Sequence, residues 1–73
     1  MATTMYFEKE IEDVSDKKIR RSLDVEIGTS SYLGPHRLYL RVGDTAVLLG
    51  DEIGREFCES VYLAGRYLGY LKD

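Results

Sequence analysis

At Gly50 the apolar residues of this chain stop recurring at every second position and begin recurring at every third or fourth. A period of two belongs to strands and a period near 3.6 to helices, so the change divides the 73 residues into a strand-forming part and a helix-forming part. Upstream, "MYFEKEIEDV" sets Met5, Phe7 and Ile11 on one face and Glu8, Glu10 and Glu12 on the other, which predicts a strand over 5–13. "SDKK" supplies turn residues. A second strand is expected over 19–28, with Leu23, Val25 and Ile27 opposed to Ser22, Asp24 and Glu26. After Gly34-Pro35 the alternation returns over 37–42, with Leu38, Leu40 and Val42 inward and Arg37, Tyr39 and Arg41 outward. Gly43-Asp44 then forms a two-residue loop, its leading glycine suited to a type II′ turn, and "TAVLL" makes a strand over 45–49. In that register Leu40 faces Val47 and Leu38 faces Leu49.

The helix is predicted over 51–71, capped by Asp51, with Glu52 at the positive end of its dipole. Ile53, Phe57, Val61, Ala64, Leu68 and Leu71 fall on one stripe, which is expected to lie on the sheet. The predicted architecture is therefore α+β: an antiparallel four-stranded meander, β-β-β-β-α, with one C-terminal helix packed across one face of the sheet. The helix carries more apolar surface than one sheet needs. Leu63, Tyr67 and Tyr70 form a second stripe on one flank, and Gly65 and Gly69 form a smooth strip with Cys58 on the other; Tyr62 sits at the edge of the polar side. Two glycines inside a helix cost about 1 kcal/mol each relative to alanine, so a packing reason is expected, either close approach to the chain's own sheet or close approach of a second backbone.

Length makes this surplus matter. A domain of this size buries only about 60% of the surface its unfolded chain exposes, and small domains often need a staple. One cysteine, Cys58, rules out an internal disulfide, and one histidine, His36, leaves no zinc framework. Association is the staple that remains. The N-terminal residues have neither a basic start nor a long apolar run, and the longest aliphatic run is Ala46 to Leu49, so an intracellular, cytoplasmic chain with no membrane contact is expected. The net charge of −3 argues against general affinity for a phosphate backbone.

Chemistry is sparsely signalled. Cys58 has no base at a spacing that predicts contact with His36, and free cysteine is commonly a buried, inert thiol. Glu8, Glu10 and Glu12 have the spacing of any solvated strand face, and a turn near 14–17 would set Glu12 opposite Arg20. "GTSSYLG" lacks the lysine and spacing of a phosphate loop. No cofactor or metal is expected, and no set of nucleophile, base and oxyanion stabiliser points to an enzyme. Arg37, Tyr39 and Arg41, with His36 and Tyr32 in the adjoining loop and Lys17, Lys18, Arg20 and Arg21 elsewhere, suggest a surface for single-stranded nucleic acid or a nucleotide. The register that brings Asp24 or Glu26 opposite Arg41 would cancel part of that patch. Lys9 and Arg21 are aimed at the inner face, where unpaired charge is costly, so a bulge near Ser22 or an open rim is expected.

The leading expectation is a non-catalytic protein-binding module that self-associates, as a homodimer, through Tyr62, Leu63, Gly65, Tyr67, Gly69 and Tyr70. The alternative is the nucleic-acid or nucleotide binder built on Arg37, Tyr39 and Arg41. A chain this small also has the size of accessory or regulatory proteins of phages and mobile elements, though no motif narrows it to them.

Overall fold

The computed structural model describes residues 3–31 and 34–71. Four strands, β1 (Thr3–Asp13), β2 (Arg21–Ser30), β3 (Arg37–Val42) and β4 (Thr45–Leu49), form an antiparallel sheet in the order β1-β2-β3-β4, and helix α1 (Asp51–Tyr67) follows and packs on the sheet. The α+β meander expected from the change of period is present.

Cross-strand pairing confirms which residues share a face. Leu38 pairs with Leu49 and Leu40 with Val47, as the Gly43-Asp44 hairpin requires, and Gly43 has the positive φ of 62° that suits a type II′ turn. Phe7 pairs with Ile27, Lys9 with Val25 and Ile11 with Leu23, while Val25 and Ile27 pair on their other side with Val42 and Leu40. These residues make the inner, apolar face. β2 runs two residues further than expected at its end because Thr29 and Ser30 still have partners in both β1 and β3.

β1 departs from simple alternation at Tyr6. The register shifts between Met5 and Phe7, so Met5 pairs with Gly28 and shares the outer face of Glu8 and Glu26, not the face of Phe7. Gly28 accommodates this bulge: a Cβ there would lie 2.1 Å from the Thr4 carbonyl oxygen. The expected bulge near Ser22 is absent. Lys9 and Arg21 are instead exposed on the inner side of a stretch of β1 and β2 that extends beyond β3, whose pairing with β2 stops at Val25–Val42. The open rim is the arrangement found. In the loop that closes this arm, Asp13 Oδ1 accepts from the Ser15 N–H at 2.9 Å, and Asp16 Oδ1 accepts from the Lys18 and Ile19 N–H groups at 2.8 and 3.2 Å. These local bonds lengthen the turn, so Glu12 pairs with Ser22 rather than Arg20, and Arg21 meets Asp13 at 3.4 Å.

The helix is shorter than 51–71. Its N-cap is Gly50, with Asp51 in the first turn, and its C-cap is Leu68. Gly69, at φ 80°, takes the left-handed conformation that ends helices; its N–H donates to the Arg66 carbonyl, and the Tyr70 N–H donates to the Gly65 carbonyl at 2.9 Å. This is the Schellman arrangement, which satisfies carbonyls the last turn would otherwise leave without donors. Leu71 folds back over Gly65, where a Cβ would stand 2.8 Å from Leu71 Cδ1. Both glycines are thus accounted for by the helix's own end.

Only one residue, Gly50, separates β4 from α1. The helix therefore leaves directly from the end of β4, and its principal contact is with β3. Gly54 is its one buried residue, with Leu38 Cβ and Leu49 Cβ 3.8 and 4.0 Å from where its own Cβ would be. The expected apolar stripe is not covered: Ile53 and Val61 are each 55% exposed and Leu68 is 56% exposed. Among the described residues no apolar side chain is buried. The dimensions agree, with a radius of gyration of 14.1 Å against about 11 Å for a compact chain of this length.

Two substitutions are expected to shift stability in opposite directions. Gly28→Val drives a side chain into the Thr4 carbonyl and should cost about 1–3 kcal/mol, as overpacking does. Gly50→Ser adds an N-cap hydroxyl where no side-chain cap bond exists, at an ordinary φ of −64°, and should stabilise by about 0.5–1 kcal/mol. Thermal unfolding followed by circular dichroism at one fixed protein concentration checks both.

Candidate functional site

The outer face of the sheet is organised around Glu26. It pairs with Arg41 across β2 and β3, and the guanidinium and carboxylate meet at 2.8 Å. Arg41 also donates to the Gly43 carbonyl, which ties the pair to the β3–β4 turn, and the Tyr39 hydroxyl donates to Glu26 Oε1 at 3.3 Å. The Arg41 guanidinium holds the Glu26 carboxyl below the ordinary carboxylate range, and the same bond raises the already high pKa of Arg41. Thus Arg37, Tyr39 and Arg41 do share the expected face, but two of the three are engaged by one carboxylate. Of the two arginines in this set, Arg37 is the one with no ion pair among the described residues. Nearby, Glu8 stands opposite Glu26 and Glu10 opposite Asp24, which makes the arm's outer side acidic. This face offers one unengaged arginine rather than a basic stacking platform. Tyr32 lies outside the described residues.

A shallow open cleft lies where α1 starts, lined by His36, Arg37, Leu38, Leu49, Gly54 and Cys58, among others. It brings Cys58 and His36 to one region, which their separation in sequence did not suggest. Cys58 is exposed, not buried as expected, because it lies on a helix that little else covers. No hydrogen bond joins it to His36. No group of three His, Cys, Asp or Glu side chains arranged to hold a metal occurs among the described residues. Nor is any helix among them long and apolar enough to cross a membrane.

The apolar surfaces are the larger feature. On α1, Leu63 is 55% and Tyr67 91% exposed, and Tyr70, which the sequence placed on the helix, lies past its end and is 77% exposed. Tyr62 is exposed too, and its ring carries the Arg66 guanidinium at 5.9 Å from the centroid, so one side of it is already occupied. Gly65 and Gly69 form no open groove, since Leu71 covers the first and the second lies past the helix end. What alternation and wheel position could not reveal is that the stripe and the inner sheet face are open as well. The signal available was the single residue between β4 and α1, which leaves a helix little freedom to fold back over the sheet.

The accessible surface measures the result. The chain exposes 6218 Å², whereas a compact monomer of 8.4 kDa is expected to expose about 4,600 Å². The excess of about 1,600 Å² exceeds the roughly 800 Å² that each partner buries in a standard protein interface. Comparison of the chain with protein-family models, curated proteins and solved structures gives no match.

The Glu26–Arg41 pair generates a pH dependence of defined sign. A carboxyl whose folded pKa is depressed contributes stability that is present above its unfolded pKa and lost as pH falls through the folded value. Wild type should therefore melt above Glu26→Gln at neutral pH, and the difference should vanish once acidification carries Glu26 below its depressed pKa. Paired melting curves from neutral pH to pH 2 read this directly; a constant difference would contradict it.

Proposed function

We propose that this protein is a non-catalytic binding module that self-associates as a homodimer through its C-terminal helix and so gains the apolar core it does not form alone. One observation carries the reading: no apolar side chain is buried among the described residues, and the exposed surface exceeds that of a compact chain by about twice what one partner buries in a standard interface. Exposed apolar patches of this extent mark association surfaces. Leu63, Tyr67 and Tyr70 add rigid apolar area beside the stripe, with tyrosine hydroxyls able to stay in water at the rim. Further surface for another protein is supplied by the outer face, where Glu8, Glu10 and Arg37 remain exposed around the part-buried Glu26–Arg41 pair. The nucleic-acid reading receives no comparable support, because Glu26 engages Arg41 and Tyr39.

Sedimentation at micromolar concentration tests this. Wild type is expected near twice 8.4 kDa, with a melting temperature that rises with protein concentration, as for dimers whose folding and association are linked. Tyr67→Glu combined with Tyr70→Glu should shift the equilibrium towards monomer by tenfold or more. A compact, stable wild-type monomer would remove the proposal.

A further inference from the structure

The two open apolar surfaces lie at opposite ends of the molecule. α1 meets the sheet at Gly54, beside Leu38 and Leu49, the end of β3 and β4 next to Thr29. The β1–β2 arm extends past the other end, beyond Val25 and Val42, and carries Ile11 opposite Leu23 on its inner side. Its loop bears Val14 and Ile19, 71% and 66% exposed. An isolated two-stranded arm is marginally stable in water, so this one needs a cover that its own helix does not supply. The helix in turn carries an apolar stripe that its own sheet covers only in part, with Ile53, Val61 and Leu68 exposed.

From these complementary deficits we infer that two copies of the chain exchange helices: the stripe of each α1, centred on Phe57, Val61 and Leu68, lies on the inner face of its partner's β1–β2 arm, against Ile11 and Leu23, and reaches Phe7 on the adjoining part of β1. This rests on the self-association proposed above and assigns its geometry. Dimensions allow it. Seventeen residues of α1 span about 25 Å, enough to cross a sheet whose four strands sit about 4.8 Å apart. The relation is reciprocal, so a single two-fold axis satisfies both helices and both arms and the assembly closes at two. The one-residue connection at Gly50 favours exchange, since short hinges keep an element off its own body. The area agrees as well: an excess of about 1,600 Å² per chain falls in the range of obligate homodimers rather than of transient encounters.

Two measurements on the full chain test the exchange. In a Cys58→Ser background, chains carrying Val61→Cys and chains carrying Leu23→Cys are unfolded, mixed, refolded together and mildly oxidised. The mixed 61–23 disulfide dimer is expected as the main product; Ile11→Cys, across the ladder from Leu23, should substitute for it. A chain with both cysteines that gives chiefly an internal disulfide at monomer mass would show the helix folding onto its own arm and overturn the inference. Mainly 61–61 product would also overturn it while leaving self-association intact. The second measurement needs no substitution: a co-refolded mixture of isotope-labelled and unlabelled wild-type chains should give intermolecular methyl contacts between Val61 or Leu68 and Ile11 or Leu23. A wild-type dimer lacking those contacts would overturn the exchange alone, and a wild-type monomer would remove both the exchange and the association beneath it.

Discussion

The seating of Gly54 against Leu38 and Leu49 fixes the helix to the sheet, and its narrowness governs the rest of the arrangement. Gly54 has no side chain, so it brings the helix close to β3 and β4 while contributing little apolar area of its own. A helix held over the middle of the sheet would cover Val25, Ile27 and Leu40 and leave its stripe buried. Held at the end of β4 by one connecting residue, it leaves those sheet residues and Phe57 half-buried and Ile53, Val61 and Leu68 exposed. Apolar burial is the dominant favourable contribution to folding, and it scales with the area removed from water. A chain that removes so little of this area by itself gains correspondingly little of that contribution.

The division into strands and helix was legible because it depended only on periodicity. Leu23, Val25 and Ile27 could not all face one side in any other secondary structure, and Gly43-Asp44 specified the hairpin register to the residue. What was harder to read followed from local bonds and from tertiary placement. Asp13 and Asp16 spend their carboxylates on neighbouring N–H groups, which lengthened the first turn and moved Glu12 away from Arg20. The β1 bulge had a sign, an isolated glycine at position 28 within a strand pattern, but alternation through Met5 and Phe7 concealed it. Gly69 could be placed on a helical wheel only by assuming the helix continued, whereas its left-handed φ ends it.

The candidate site was legible to the same extent. Leu63, Tyr67 and Tyr70 stood out because three large side chains beside an already complete stripe exceed what one sheet can cover. That the stripe itself is uncovered depends on the angle at which the helix leaves the sheet, and no residue pattern encodes that angle. On the outer face, register narrowed the partner of Arg41 to Asp24 or Glu26, and the structure selects Glu26. The further bonds from Tyr39 to Glu26 and from Arg41 to the Gly43 carbonyl came only with geometry, and they make a part-buried cluster on this side of the sheet.

The displaced register at Tyr6 has a further meaning for a chain with so much unsheltered surface. β1 is the long outer strand of the sheet, and an unbroken outer strand offers its free backbone groups to any other strand of matching spacing. Across the bulge, an incoming ladder would lose step, and Lys9 would bring a charge against its apolar side. On this edge, growth strand upon strand is thereby hindered, and the surface that β1 leaves open is one of side chains more than of backbone.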